Sequence, residues 1–94
     1  MTEELASSCD SFLMRVVETL TTPGGPGVIV AGPVVHGVCK LGDHLSLIGP
    51  NATLEASCIG FELINWGRGR EGWVSVRLGS VELADLKDVT DICA

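Results

Sequence analysis

Glycine and proline interrupt this chain at intervals of roughly eight to twelve residues, and this spacing limits the fold more than any other feature. The segments between the interruptions are short and rich in β-branched residues, so no helix of useful length fits between them. The clearest period lies near the end, where Val74, Val76 and Leu78 alternate with Ser75 and Arg77. Short alternating segments between regular turns are typical of an all-β barrel or sandwich.

We expect residues 1–10 to be a flexible leader and residues 11–94 to be a single small closed antiparallel β-barrel of about six strands. The chain's length suits one domain with one core. Gly32 and Pro33 predict a bulge or an edge position, and residues 81–87 predict at most one helical turn. The predicted extended segments are 11–20, 28–35, 44–48, 53–64, 74–78 and 88–93. The predicted core is Phe12, Val28, Val30, Leu45, Leu47, Val74, Val76 and Leu78.

The net charge of −6 comes from the two ends of the chain. Residues 11–80 balance five acids against five bases, so no clustered basic face for phosphate is predicted. No apolar run is long enough for a membrane helix, and an acidic N-terminus is unlike a secretory signal. We therefore expect a cytoplasmic protein without membrane contact, and we expect its four cysteines to be thiols.

Four motifs occur in an order that is informative only when they are taken together. They are Phe12-Leu13, Gly25-Pro26-Gly27-Val28-Ile29-Val30-Ala31-Gly32, Gly37-Val38-Cys39-Lys40-Leu41-Gly42-Asp43 and Gly72-Trp73-Val74-Ser75-Val76-Arg77-Leu78. This arrangement resembles the second, β-barrel domain of translational GTPases such as elongation factor Tu, over about residues 11–93. The resemblance implies a small barrel and a translation-associated contact with RNA or the ribosome.

The chain departs from that family where the family binds aminoacylated tRNA. The family's charged segment, with its pocket glutamate, aligns with Pro33, Val34, Val35 and His36. The GTPase signature Gly-x-x-x-x-Gly-Lys-(Ser/Thr) is also missing, because the glycines of residues 23–27 are followed by no lysine. We therefore expect no guanine nucleotide and no other cofactor to bind.

His36, Cys39 and His44 raise two chemical alternatives. A Cys–His pair could supply nucleophilic catalysis. However, a reactive thiol needs an adjacent base or a helix N-terminus to lower its pKa. The same three residues are acceptable zinc ligands, although they form only half of a zinc-spacing pattern. We expect neither an enzyme nor a metal site, and we interpret both histidines as exposed turn residues.

The loop between the fourth and fifth predicted strands is the strongest candidate for recognition. Its candidate binding residues are Trp66, Arg68, Arg70 and Trp73. Tryptophan and arginine are enriched at binding hot spots, and the same pair suits single-stranded nucleic acid. The sequence therefore predicts a non-catalytic binding module with an unidentified protein partner, and RNA or ribosome contact is the alternative.

Overall fold

The computed structural model describes residues 10–21, 25, 27–62 and 68–94. All of the predicted leader except Asp10 lies outside these residues, as do Leu63 and Ile64 at the end of the fourth predicted segment. The described chain contains seven strands and one short 3₁₀ helix, Leu83–Leu86. The strands are β1 (Phe12–Arg15), β2 (Glu18–Leu20), β3 (Val28–Gly37), β4 (His44–Ile48), β5 (Thr53–Phe61), β6 (Trp73–Gly79) and β7 (Asp91–Cys93).

Six of these strands form a closed antiparallel barrel, which confirms the predicted fold class. Their order is β1-β7-β4-β5-β6-β3, and the pairing of β1 with β3 completes the circle. The remaining strand, β2, pairs with β3 and lies outside the barrel. The 3₁₀ helix packs beside β2. Closure leaves the barrel strands without a free sheet edge, which is how small all-β domains avoid edge-to-edge association.

The first predicted strand is two strands, and Gly32 explains the break between them. A Cβ atom at Gly32 would lie 1.9 Å from the carbonyl oxygen of Arg15, so only glycine lets the chain pass so close to β3. Beyond Arg15 the chain no longer pairs with β7, and from Glu18 it pairs with β3 as strand β2. A bulge was predicted at Gly32 and Pro33, but the irregularity of β3 lies further along the strand. Leu13 pairs with His36 and Met14 with Val34, so Val35 has no partner residue in β1.

The barrel interior is filled by alternate side chains of the six strands. Seven of the eight predicted core residues are buried, whereas Val74 is half-buried. Val74 lies at one end of the barrel, where fewer strands surround it. The buried hydrophobic cluster is Phe12, Met14, Val28, Val30, Leu45, Leu47, Ala56, Cys58, Val76, Leu78, Leu86 and Ile92.

The outer face of the β3–β6 pair carries a second, smaller buried set. Ile29 and Ala31 point away from the barrel interior because they alternate with the core residues Val28 and Val30. Ala31 pairs with Ser75, which is buried as well. The outer face of the sheet is therefore covered at the Ala31–Ser75 pair, two residues after the start of β6.

Candidate binding surfaces

The predicted recognition loop is attached to the outer face of the barrel through Arg70. Its guanidinium nitrogen Nη1 lies 3.3 Å from Oε2 of Glu18 in β2. The same guanidinium lies over the ring of Trp73, 5.0 Å from the ring centroid, in the geometry of a cation–π contact. The structure thus brings together two of the four predicted binding residues, Arg70 and Trp73, but in a contact within the fold.

The other two predicted binding residues differ in what the structure describes. Arg68 is exposed in a turn with Gly69, whose backbone N–H donates to the carboxylate of Glu71. Trp66 lies outside the described residues. Arg68 is therefore exposed at a turn outside the strands.

Trp73 belongs to the outward side of β6 and does not fill the barrel end. It shares this side with Ser75 and Arg77, because alternate residues of a strand point the same way. The guanidinium of Arg77 donates from Nε and Nη2 to Oε2 of Glu62, at 3.0 and 2.8 Å. Two of the six basic side chains, Arg70 and Arg77, are thus paired with carboxylates, which weakens any attraction for phosphate.

A different surface, at one open end of the barrel, was not predicted from the sequence. A cavity of about 200 Å³ opens there, and we call it the apolar mouth. Core residues Phe12 and Val76 form its floor. The lining residues are Phe12, Val34, Gly37, Val38, Cys39, Phe61, Val74 and Val76.

The rim of the apolar mouth exposes large hydrophobic side chains to solvent. Val38 is 68% exposed and Phe61 is 46% exposed. Both stand where pairing ends, since Val38 follows β3 directly and Phe61 is the last residue of β5. The available signal in the sequence was Val38 itself, an apolar residue one position after the turn glycine Gly37. Exposed apolar side chains grouped at an apolar opening are a feature of interaction sites.

His36, Cys39 and His44 do not form a site together. His36 is an exposed residue of β3 opposite Leu13, and Nε2 of His44 hydrogen-bonds to Oε1 of Glu55 on the neighbouring strand. Within residues 10–21, 25, 27–62 and 68–94, no three His, Cys, Asp or Glu side chains are grouped to hold a metal ion. The described residues therefore show no grouping of these three side chains that would support the zinc site or the Cys–His pair.

Cys39 instead faces Cys58, and both are thiols. Burial raises the pKa of the Cys39 thiol to about 12, and the adjacent Cys58 thiol and the charge of Asp43 act in the same direction. A thiol with so high a pKa is protonated at neutral pH, which opposes the nucleophilic role considered from the sequence.

Cys93 is disulfide-bonded, so the expectation of four thiols is wrong at this position. Its partner lies outside the described residues. Cys93 is buried opposite Leu13 in the β1–β7 pair, beside the start of the first strand. The spacing of cysteines along the sequence does not predict that Cys93 lies next to β1, because barrel closure brings β7 and β1 together.

No protein-family model matches the sequence. Among the described residues, no helix has the length and hydrophobicity required to cross a membrane.

Proposed function

We propose that this domain is a non-catalytic protein-interaction module, a barrel of the kind used as the second domain of translational GTPases. The observation that carries the proposal is the apolar mouth with its exposed rim residues Val38 and Phe61. A protein partner is favoured over a nucleic acid because the mouth is lined by hydrophobic residues, whereas a phosphate backbone requires a basic surface. The sequence motifs described above support the link to that barrel family.

The size of the mouth suits one or two apolar side chains of a partner. A cavity of about 200 Å³ accommodates a single large hydrophobic residue with its immediate neighbours shielding the rim. Burying one such side chain contributes roughly 1.5 to 3 kcal/mol, which is the scale of a binding hot spot. The rim residues adjoin the ends of the paired strands β3 and β5, and a rim ordered by strand pairing would lower the entropic cost of association.

The recognition loop has a supporting role in this proposal. Arg68, which is exposed in the described part of the loop, would extend the contact beyond the mouth. Arg70 and Trp73 hold the loop against β2 and β6, and they act on binding by positioning it.

The experiment is affinity capture with the wild-type domain as bait, followed by comparison of charged and polar variants. Val38→Glu and Phe61→Ser remove the apolar character of the rim. Their matched controls are Val17→Glu and Leu83→Ser, because Val17 (55% exposed) and Leu83 (45% exposed) have similar exposure but do not line the mouth. We expect each rim variant to weaken binding of captured proteins by about tenfold or more, and the controls to bind as the wild type does.

Two outcomes would overturn the proposal. One is equal binding by the rim variants and the controls. The other is capture that disappears after ribonuclease treatment and whose affinity falls steeply with salt, because that behaviour identifies phosphate contacts with RNA.

A further inference from the structure

The two neighbours of β3 pair with it over different lengths. On the side of β6, strand pairing ends at Pro33. One backbone hydrogen bond follows, in which the amide of Val34 donates to the carbonyl oxygen of Gly72 at 3.4 Å. On the side of β1, pairing continues to Gly37. The last three residues of β3, 35–37, therefore extend beyond β6, and we call them the β3 overhang.

The β3 overhang is exposed, and among the described residues no strand pairs with it on the side of β6. The chain just before β6 turns away from this side. The amide of Trp73 donates to the carbonyl oxygen of Arg70 at 3.2 Å, which closes a turn. The guanidinium of Arg70 contacts Glu18 of β2, a strand that pairs with the opposite edge of β3. The turn therefore directs the chain toward β2 and not along the β3 overhang.

The apolar mouth opens beside the β3 overhang, on the side of β6. Gly37 and Val38 line the mouth from the end of β3, and Phe61 lines it from the end of β5. Since β6 lies between β3 and β5 in the sheet, the opening between these residues faces the side on which the overhang has no described strand partner. A ligand at this position meets a strand edge and a hydrophobic cavity together.

An extended peptide suits both features. Its backbone N–H and C=O groups pair with a strand edge, while alternate side chains point to one face of the sheet. An α-helix already pairs its own backbone groups, so a strand edge adds nothing to its binding. A nucleic acid is disfavoured because the lining of the mouth is hydrophobic and carries no basic side chain.

We propose that the β3 overhang and the apolar mouth bind an extended segment of a protein partner. The segment adds a strand beside the overhang and inserts one large hydrophobic side chain into the mouth. This inference rests on the proposed function and specifies which element of the partner is recognised.

The test begins with a library of random seven-residue peptides displayed on phage and selected on the full chain. The most enriched sequence is synthesised with a fluorescent label, and its dissociation constant is measured by fluorescence anisotropy. We expect the Val38→Glu variant to bind this peptide at least about tenfold more weakly than the wild type does. The matched control Val17→Glu, at an exposed position that does not line the mouth, should bind as the wild type does.

Methylation of the peptide backbone tests the added strand itself. In a strand that pairs along one edge, alternate amides face the partner and the others face away. Two versions of the peptide are made, each with methyl groups on one of the two alternating sets of amides. We expect one version to bind at least about tenfold more weakly than the parent peptide and the other to bind within about twofold of it.

Replacing the largest hydrophobic residue of the peptide by alanine tests the inserted side chain. We expect this change to weaken binding at least about tenfold, because burial of the side chain in the mouth is lost. If the alanine peptide and the Val38→Glu variant bind weakly but both methylated peptides bind like the parent, no strand is added. The inference then fails while the proposed function stands.

Other results separate the remaining occupants of this surface. If Val38→Glu binds the peptide as the wild type does, both the inference and the proposed function fail at the mouth. The inference also fails if selection on the full chain enriches no peptide. Sedimentation velocity without peptide tests the last case, because a dimer that Val38→Glu dissociates would identify a second copy of the chain as the occupant and overturn the inference.

Discussion

At the scale of single residues, Cys39 is a thiol whose environment suppresses its ionisation. Partial burial beside Cys58 and Asp43 raises its pKa from an ordinary 9.0 to about 12. Because the unfolded chain releases this proton first, the contribution of Cys39 to stability is present below pH 9 and decreases as the pH rises above it.

This environment predicts the pH dependence of Cys39 alkylation. Thiolate is the reacting form, so the rate in the folded protein should rise about tenfold per pH unit from pH 7 to pH 10 without levelling off. The measurement is mass spectrometry of peptide 16–40 after timed reaction with iodoacetamide, and urea-unfolded protein is the control. A plateau of the folded-state rate near pH 9 would show that the thiol is not shielded.

Arg70 and Arg68 are neighbours in the same loop with different predicted effects on stability. Arg70→Ala removes the ion pair with Glu18 and the contact with Trp73, and we expect a loss of about 1 kcal/mol in the free energy of unfolding. Arg68→Ala changes an exposed turn residue and should have almost no effect. Urea unfolding followed by tryptophan fluorescence measures both variants, and equal losses would contradict this role of Arg70.

At the scale of elements, two glycines with similar backbone angles, one at the end of β3 and one in the following turn, distinguish conformational strain from steric clash. Gly37 and Gly42 both have a positive φ, 83° and 90°. A Cβ atom at Gly37 would lie 2.0 Å from the carbonyl oxygen of Ser11, whereas nothing lies within 4 Å of a Cβ atom at Gly42. Gly37 is thus required by the close approach of β1 to the end of β3.

Alanine substitutions should reproduce this difference. We expect Gly42→Ala to cost about 1 kcal/mol, the strain of a left-handed residue. Gly37→Ala should cost at least about 3 kcal/mol or prevent folding, since β1 must move away from β3. Thermal unfolding of both variants measures the difference, and similar melting temperatures would mean that β1 adapts without cost.

At the scale of the whole molecule, barrel closure divides the seven described strands into six with partners on both sides and one, β2, that is paired on one side. Each barrel strand is hydrogen-bonded to two other barrel strands, whereas the described residues of β2 pair with β3 alone. Opening β2 therefore leaves the barrel core intact, because Phe12, Met14 and the other clustered residues lie on the six closed strands and the 3₁₀ helix.

Amide hydrogen exchange should show these two levels of stability. We expect amides of β2, Glu18–Leu20, to exchange at least about tenfold faster than the paired amides at the centres of β4 and β6, because β2 can separate without global unfolding. Exchange monitored by nuclear magnetic resonance at neutral pH gives both sets of rates. Equal protection of β2 and the barrel strands would mean that they unfold as one unit.

The all-β barrel could be predicted from the sequence because its determinants are local. Alternation marked Val76 and Leu78 as interior residues, and the recurring glycines and prolines marked the turns, so strands such as His44–Ile48 were located correctly. The sequence prediction ended β3 at Val35. In the structure β3 continues to Gly37, because its last residues pair with β1. Such pairing depends on residues distant in the sequence.

The candidate sites were determined by tertiary structure. The sequence marked Arg70 as a contact residue from its type and its loop, but the fold places Glu18 and Trp73 around it. The apolar mouth forms because Val38 and Phe61, separated along the chain, meet at one end of the barrel. Cys39 and Cys58 become neighbours for the same reason. Alternation and turn preferences depend on residues close together in the chain, so they can be predicted from the sequence. Cavities and side-chain pairs depend on how the closed sheet brings separate strands together, so only the tertiary structure decides them.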